Sequence, residues 1–311
     1  MTPKCAPVRE PKPSGLTWMK CTTASIRNVL TRTTGYLKTV SSHSLQPYRG
    51  CTFGCSLCGV GCYVRHNVYL TQGRPWGEFL EIRENAADSY LANVKREAAW
   101  ARRGGGRFGI FLSSSTEPFL PQEFRYGVTR GLLLAMLRVP PDVLVLQTHS
   151  HRVVEYVELY SELLKKVELR VHLSIETDRE EMPGLPPHAS SVEQRLEASR
   201  ALKSAGVPVV VTVSPLLPIA APARFFERIA EVADAVVVDH FIEGDGTPDG
   251  RRTRRTGLPE AMAALDPKAL ELDYRERMAR VAERYLPGRV GISIDGFAGR
   301  WCAPGVAQRD A

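Results

Sequence analysis

Residues 47–66 read Pro-Tyr-Arg-Gly-Cys-Thr-Phe-Gly-Cys-Ser-Leu-Cys-Gly-Val-Gly-Cys-Tyr-Val-Arg-His and place four cysteines within twelve positions. Cys51, Cys55 and Cys58 form a C-x3-C-x2-C array, so one tight loop can present three thiolates. Thiolates are the ligands that a cubane iron–sulfur cluster prefers, and three of them leave the fourth iron open to another ligand. The spacing therefore predicts a 4Fe-4S cluster held by Cys51, Cys55 and Cys58.

Two other interpretations of the same cysteines stay open. Four close thiols can bind structural zinc, although zinc ligands usually come as two separated pairs. Cys55 and Cys58 alone have the spacing of a thiol–disulfide enzyme, which would need neither Cys51 nor Cys62. The other three cysteines are scattered near the ends of the chain, at Cys5, Cys21 and Cys302. A disulfide scaffold is therefore not indicated.

On both sides of the cysteines, short β-branched runs alternate with amphipathic stretches. The predicted strands are 44–49, 108–113, 143–148, 168–174, 208–213, 235–240 and 289–294. The predicted helices are 83–103, 124–138, 152–165, 192–205, 223–232 and 267–285. Continuous apolar runs are typical of buried parallel strands. The pattern predicts an α/β fold, a partial (β/α)6 barrel with helices outside, whose chemistry gathers at the carboxyl ends of the strands.

The chain is expected to have three parts. Residues 1–25 form an extended or disordered basic lead-in, 26–245 the partial barrel, and 246–311 a C-terminal extension packing on it. The net charge is +7, and residues 1–50 contain eight Lys or Arg against one Glu. A second basic run at 251–255 could also contact phosphates, although solvated surface accounts for such charge equally well. No apolar stretch suits a membrane span or a secretory signal, so we expect a cytoplasmic protein without a membrane partner.

The cysteine loop after a first strand in a βα-repeat chain resembles the radical S-adenosylmethionine superfamily, and in particular its branch related to spore photoproduct lyase. The similarity spans about 26–245 and includes residues 29–65, 115–121 (Ser-Thr-Glu-Pro-Phe-Leu-Pro) and 173–177 (Leu-Ser-Ile-Glu-Thr). In that branch an aromatic residue follows the third cluster cysteine directly. Here Gly59 follows Cys58, and Tyr63 follows Cys62. Cys62 is therefore the alternative third ligand.

The resemblance implies that S-adenosylmethionine coordinates the open iron, and that the reduced cluster cleaves it to a 5′-deoxyadenosyl radical that abstracts hydrogen from a substrate. It also implies a reductant such as flavodoxin or ferredoxin. The positions that match the family's cofactor contacts are Phe53 and Tyr63 in the loop, Ser115 and Glu117 after the second strand, Ser174 and Glu176 after the fourth, and Ser214 after the fifth.

The substrate stays open at this level. A DNA lesion is one candidate, because spore photoproduct lyase repairs crosslinked thymines and the basic N-terminal arm suits phosphate contacts. No cysteine lies between Cys62 and Cys302, so the thiol hydrogen donor of well-known members is missing from the middle strands. The alternative function is a zinc-stabilised nucleic-acid-binding protein without catalysis. The sequence does not predict the oligomeric state.

Overall fold

The structure is a computed structural model and describes residues 20–103 and 105–302, so residues 1–19 of the predicted lead-in lie outside it. The strands are β1 Lys20–Ala24, β2 Leu30–Arg32, β3 His43–Leu45, β4 Tyr48–Gly50, β5 Phe79–Arg83, β6 Gly109–Leu112, β7 Val143–Thr148, β8 Glu168–Ser174, β9 Val209–Val213, β10 Ala235–Val238 and β11 Val290–Ile292.

The α-helices are α1 Leu57–Val60, α2 Val68–Thr71, α3 Ala86–Arg102, α4 Glu123–Tyr126, α5 Val128–Arg138, α6 Val157–Leu164, α7 Val192–Ser204, α8 Pro222–Val232, α9 Phe241–Gly244, α10 Leu258–Leu265, α11 Asp273–Glu283 and α12 Ser293–Phe297. Short 3-10 helices span Gly35–Thr39, Thr52–Cys55, Tyr63–His66, His151–Tyr156, Thr253–Arg255 and Pro267–Leu270. Among the described residues, no helix is long and apolar enough to cross a membrane.

The larger sheet has the strand order β11-β10-β9-β8-β7-β6-β3-β2. Every neighbouring pair from β3 to β11 is parallel, and β2 alone runs antiparallel to its neighbour β3. The predicted α/β partial barrel is confirmed: β3 and β6 to β10 are its six parallel strands, and β11 adds a seventh. Parallel pairing brings the carboxyl ends of all these strands to one edge of the sheet.

Alternate side chains of the strands point to opposite faces and build two cores. Ile110, Leu144 and Val211 belong to the outer core between the sheet and the helices. The inner core fills the barrel and consists of Phe111, Val145, Val210, Ala235, Val237 and Phe297. Because both faces are buried, the strands read as continuous apolar runs, which explains why the sequence predicts them well.

The helices begin and end at residues that favour those positions. The Ser191 hydroxyl accepts a hydrogen bond from the Gln194 N–H, and the Gln194 side chain accepts from the Ser191 N–H, which makes a capping box at the start of α7. Just past the end of α7, Gly206 has a φ of +76°, a conformation that glycine adopts at little cost. Local capping thus explains why α7 follows its predicted bounds closely.

A smaller sheet of order β1-β5-β4 was not predicted; β1 and β4 precede the cysteine loop and β5 follows it. The predicted strand 44–49 was wrong as one element, because it splits into β3 in the larger sheet and β4 in the smaller one. Pro47 lies between them and has no N–H for a continuous ladder. At the end of β4, a Cβ on Gly50 would lie 2.3 Å from the Phe79 carbonyl oxygen. This close approach fixes where the chain enters the loop at Cys51.

Candidate active site

A cavity of about 340 Å³ opens at the carboxyl ends of the parallel strands. The side chains that the strand ends contribute to its lining include Ser113, Glu117, Gln147, His149, Ser174, Ser214 and Asp239. The cysteine loop forms the facing wall. The volume falls in the range of roughly 300–1,000 Å³ that is usual for small-molecule sites. The predicted meeting of the cysteine loop with the strand ends is therefore observed.

The cysteine loop is compact because two glycines let its turns touch. It folds into the 3-10 helix Thr52–Cys55 and the helix α1. A Cβ on Gly59 would lie 2.2 Å from the Gly54 carbonyl oxygen, and a Cβ on Gly54 would lie 2.4 Å from the Gly77 Cα. No side chain fits at position 59 without moving these turns apart. An aromatic side chain directly after Cys58 is therefore incompatible with this packing of the loop.

The four thiols of the loop do not share one environment. Cys51, Cys58 and Cys62 line the cavity, and Cys51 is the most deeply buried of the three. Cys55 is exposed, and its Sγ lies 4.0 Å from the Gly77 carbonyl oxygen. Two of the three predicted ligands and the alternative ligand therefore face the cavity, while Cys55 lies outside its lining.

Burial controls the charge state of the cavity thiols. It raises the pKa of Cys51 and Cys58 well above the ordinary range of a thiol. It also raises the pKa of Cys62 to about 11, although the N–H groups of Val64 and Arg65 favour the thiolate there. A positively charged metal centre would compensate buried thiolates at this position, because coordination deprotonates a thiol outright.

The donor set suits a cluster better than a single ion. In the part of the chain that the structure describes, no group of three or more His, Cys, Asp or Glu side chains is close enough to hold one metal ion. A cubane spreads its ligands over separate irons, so its thiolates do not need to converge on one point. The buried thiols and the polar strand ends around one cavity fit a 4Fe-4S cluster with S-adenosylmethionine beside it.

The segment after β6 carries hydroxyl groups that face the cavity. Ser115 lines it, and the Ser115 N–H donates to Gln46 Oε1 at 3.1 Å. The Tyr63 hydroxyl donates to the Ser114 carbonyl oxygen, which ties the cysteine loop to this segment. Ser113 has a φ of +73°, and its hydroxyl is buried without a hydrogen-bond partner among residues 20–103 and 105–302. A buried, unpaired hydroxyl in a cavity wall is a candidate ligand contact.

Glu117 is buried, lines the cavity and is held by three protein donors. The Phe119 N–H and the Thr148 hydroxyl donate to Oε1 at 2.9 and 2.5 Å, and the His149 N–H donates to Oε2 at 2.8 Å. Burial raises the Glu117 pKa despite these donors. Oε1 already accepts two hydrogen bonds, whereas among the described residues Oε2 accepts one and can take a second, so a contact between Oε2 and a ligand ammonium group is compatible with this geometry.

Ser174 and Glu176 lie near the same strand end but in different surroundings. Ser174 lines the cavity, and its Oγ accepts from Gln147 Nε2 at 2.8 Å. Glu176 does not line the cavity: its Oε1 lies 2.8 Å from His149 Nδ1, and its Oε2 accepts from Arg195 Nη1 at 2.6 Å. Burial acts to raise the Glu176 pKa, but Arg195 and His149 outweigh it and hold the pKa far below its usual range. Glu176 thus orients His149, which does face the cavity.

Ser214 and Asp239 follow β9 and β10 and act as a pair. The Ser214 hydroxyl donates to Asp239 Oδ2 at 3.0 Å, and the Ser293 hydroxyl donates to Oδ1 at 2.7 Å. Burial raises the pKa of Asp239 to about 6, although both serines favour the ionised form. A cavity carboxyl that titrates near neutral pH can hold or release a proton during a reaction.

Aromatic rings cover much of the remaining cavity surface. Phe53 and Tyr63, both predicted, line it from the cysteine loop. Tyr36, Trp76 and Phe297 were not predicted, although they line the cavity too. The Tyr36 hydroxyl is buried without a hydrogen-bond partner in the described parts of the chain. Tyr36 precedes the cysteine loop and Phe297 follows the last strand, so no motif or spacing marks either of them.

A parallel α/β barrel whose strand ends share a cavity with a cysteine loop defines a cofactor-dependent enzyme of the barrel class. The family profile of the radical SAM superfamily matches residues 45–224, which is more than half of the chain. The chain therefore belongs to the radical SAM superfamily. Membership implies a 4Fe-4S cluster and S-adenosylmethionine as cofactors. The non-catalytic zinc protein and the thiol–disulfide enzyme gain no support.

Solved structures of spore photoproduct lyase share this fold. The complex with S-adenosylmethionine and dinucleoside spore photoproduct has a TM-score of 0.60 and 16% identity, covering 88% of this chain and 81% of that chain. A complex with dinucleoside spore photoproduct gives a TM-score of 0.58 with the same identity and coverage. An uncharacterized protein of Acidianus two-tailed virus is 30% identical over 193 residues, which are 60% of this chain and 59% of that protein. The chain thus spans less than two thirds of that relative.

Proposed function

We propose that Cys51, Cys55 and Cys58 hold the 4Fe-4S cluster, with Cys62 as the alternative third ligand, and that S-adenosylmethionine occupies the adjoining cavity. The observation that carries the proposal is that thiols of the cysteine loop and polar side chains after five successive strands line one cavity. When bound, these cofactors supply a 5′-deoxyadenosyl radical that abstracts hydrogen from the substrate.

Residues of the cysteine loop and of the segment after β6 bind the two ends of S-adenosylmethionine. Glu117 accepts hydrogen bonds from the methionyl ammonium group, for which its buried carboxylate is a complementary charge. Ser115 adds a hydroxyl beside it. Phe53 and Tyr63 cover the adenine, because flat rings bury a heterocycle without needing a specific hydrogen bond. The bond from Tyr63 to the Ser114 carbonyl oxygen supports this assignment by holding loop and segment together.

The later strands bind the ribose, the carboxylate and the adenine edge. Ser174 donates or accepts at the ribose or carboxylate, and Ser214 lies at the adenine edge. Glu176 acts through His149: the hydrogen bond at Nδ1 fixes the imidazole, and the ring faces the cavity. His149 therefore takes the direct contact that the sequence assigns to Glu176, and Glu176 is a positioning residue.

The other side of the cavity excludes water from the reacting atoms. Phe111, Phe297 and Tyr36 pack edge to face around it, with ring centroids 6.2 to 6.4 Å apart. Dry surroundings prevent a reactive intermediate from being quenched by side reactions. Asp239 is the carboxyl on this wall; burial raises its pKa to about 6, so it takes up a proton as the pH falls through that value.

We extend the proposal to a modified base in DNA as the substrate and to flavodoxin or ferredoxin as the electron donor. Spore photoproduct lyase, which shares the fold, has been solved with a dinucleoside spore photoproduct. In the described part of this chain, the cysteines that line the cavity all belong to the cysteine loop. A thiol on the middle strands cannot return hydrogen to the product, so the reaction differs from photoproduct reversal in that step.

The test is anaerobic reconstitution with iron and sulfide, followed by dithionite reduction and measurement of 5′-deoxyadenosine formed from S-adenosylmethionine. The assay needs no substrate. We expect four irons per chain and 5′-deoxyadenosine in the wild type. In Glu117→Gln, which keeps the shape but loses the charge, we expect weaker S-adenosylmethionine binding by equilibrium dialysis with unchanged iron content. A zinc-containing protein that forms no 5′-deoxyadenosine would contradict the proposal.

A further inference from the structure

In the described part of the chain, a group of arginines without carboxylate partners lies near the cavity. Some surface arginines pair with carboxylates, as in Arg102–Asp142, Arg107–Glu168, Arg228–Glu193 and Arg300–Asp295, and other described ones do not. Five arginines, here called the arginine rim, are Arg65, Arg251, Arg252, Arg254 and Arg255. Among residues 20–103 and 105–302, none of the five forms an ion pair with a carboxylate. The rim therefore carries uncompensated positive charge.

Two segments that are far apart in sequence build the rim. Arg65 belongs to the 3-10 helix that closes the cysteine loop, and its Nη1 donates to the Val60 carbonyl oxygen at 3.0 Å. Arg252 lines the cavity itself, and Arg255 follows it in a second 3-10 helix. His66, next to Arg65, is half-buried: burial lowers its pKa most, Arg65, Arg252 and Arg255 lower it further, and Asp245 raises it. These three guanidinium groups thus act on one neutral imidazole.

In the described ranges, the acidic residues beside the rim form no ion pair with its guanidinium groups. Asp245 is buried, and its carboxylate accepts hydrogen bonds from the Thr247 and Thr253 N–H groups. Asp249 is exposed and accepts from the Arg251 N–H through its Oδ1. Both carboxylates therefore hold backbone turns together. Arg252 Nη1 and Arg254 Nε donate to the Asp245 and Asp249 carbonyl oxygens, both at 3.0 Å, and the remaining guanidinium N–H groups stay available to an anion.

Apolar and aromatic side chains lie exposed next to the rim. Tyr69 and Val68 are 86% and 69% exposed, on the helix α2 that follows the Arg65 segment directly. Arg49 holds this helix in place by donating to the Leu70 and Tyr69 carbonyl oxygens, both at 2.8 Å. An exposed tyrosine beside several free guanidinium groups is the combination that binds single-stranded nucleic acid, because bases stack on the ring while arginines contact phosphates.

We propose that the arginine rim binds the phosphates of a single nucleic-acid strand, with one base entering the cavity past Arg252. This inference rests on the proposed function and adds a docking surface for a single strand to it. A small anion would need one guanidinium pocket, whereas the rim spreads five guanidinium groups over two segments. Guanidinium groups suit phosphates because they donate two parallel hydrogen bonds.

The test measures the binding of a fluorescein-labelled single-stranded DNA oligonucleotide to the reconstituted protein by fluorescence anisotropy at several salt concentrations. The test variant Arg251→Ala/Arg254→Ala/Arg255→Ala changes only exposed residues outside the cavity lining. Arg102→Ala/Arg107→Ala/Arg300→Ala is the matched control, because it removes the same charge from paired arginines. We expect the test variant to bind roughly tenfold more weakly or worse, with a salt slope reduced by about two. The control should bind like the wild type.

If the test and control variants bind the oligonucleotide with equal affinity, the proposal that the arginine rim binds the strand is overturned. Binding to phosphatidylserine vesicles without binding to the oligonucleotide would overturn it as well, because the partner would then be a membrane. Substrate-free 5′-deoxyadenosine formation is measured on the same preparations. If the wild type forms 5′-deoxyadenosine but does not bind the oligonucleotide, only the proposal that the arginine rim binds nucleic acid is wrong. If it forms none, the proposed function fails.

Discussion

The two edges of the same parallel sheet use carboxylates in opposite ways. At the amino-terminal edge, Asp142 accepts from the Phe108 N–H at 2.8 Å and from the Arg102 guanidinium, and Asp234 accepts from the Val209 N–H at 2.8 Å. The hydrogen bond from Arg102 lowers the pKa of Asp142. These carboxylates are satisfied, and they join neighbouring strand starts to one another.

At the carboxyl-terminal edge, Glu176 outside the cavity lining pairs with Arg195, but among the described residues the acids and thiols that line the cavity have no ion-pair partner. Burial raises the pKa of Glu117, Asp239, Cys51 and Cys58, so the charged form of each is disfavoured. Groups in this condition are usual where a ligand or metal supplies the missing partner. The difference indicates that the amino-terminal edge serves stability and the carboxyl-terminal edge serves chemistry.

The largest expected effect concerns the thiols. Cys51→Ala and Cys58→Ala should each abolish cluster assembly and lower 5′-deoxyadenosine formation by at least about a hundredfold, because one iron loses its ligand. Cys62→Ala should keep most of the iron. Cys302→Ala is the control, since Cys302 lies outside the cavity lining. Iron and sulfide contents with the absorbance spectrum report the result. Iron loss in Cys62→Ala with retention in Cys58→Ala would make Cys62 the third ligand.

The next effect tests the buried ion pair Arg195–Glu176 at the carboxyl-terminal edge. Arg195→Met leaves Glu176 buried without its cation, and we expect the free energy of unfolding to fall by about 3–5 kcal/mol. Arg228→Met removes the surface pair with Glu193 and should cost at most about 1 kcal/mol. Anaerobic urea unfolding measures both. Equal losses of free energy of unfolding in the two variants would mean that the buried Arg195–Glu176 pair contributes no more to stability than the surface pair.

A smaller effect follows from the titration of Asp239. Burial raises its pKa from 3.8 to about 6, so the folded protein keeps this proton to higher pH than the unfolded chain does. The stabilisation by the protonated carboxyl is complete below about pH 4 and is lost as pH rises through about 6. Asp239→Asn should therefore be more stable than the wild type at pH 7, by about 3 kcal/mol, and nearly equal to it near pH 4. Urea unfolding of both proteins at pH 7 and at pH 4 measures this difference in the free energy of unfolding. The same difference at both pH values would contradict the raised pKa of Asp239.

Much of the fold could be predicted, because strands that are buried on both faces consist of consecutive apolar residues. The observed β7 and β8 have the predicted bounds for this reason. The smaller sheet could not be predicted, because β1 and β5 pair across a long stretch of chain and nothing local encodes that partnership. The split of the predicted strand 44–49 at Pro47 could not be predicted either, because it arises from the pairing of its two halves with different sheets. The boundaries of the three proposed parts stay a prediction.

The site could be predicted where the spacing of residues in the sequence or the order of the strands determines it. Cysteine spacing marks the loop, and parallel topology brings Ser115, Ser174 and Ser214 to one edge. The sequence could not show that Glu176 turns toward Arg195 while His149 faces the cavity, because both follow strand ends. Tyr36 reaches the cavity only through tertiary packing.

The comparison of the two edges is tested most directly by measuring 5′-deoxyadenosine formation in two reconstituted variants side by side. Asp142→Ala alters the amino-terminal edge, and Cys51→Ala alters the carboxyl-terminal edge. We predict that Asp142→Ala lowers the free energy of unfolding by about 1 kcal/mol and keeps the wild-type rate per cluster. Cys51→Ala should fold and form no 5′-deoxyadenosine. Wild-type 5′-deoxyadenosine formation by Cys51→Ala would contradict the assignment of the chemistry to the cysteine cavity.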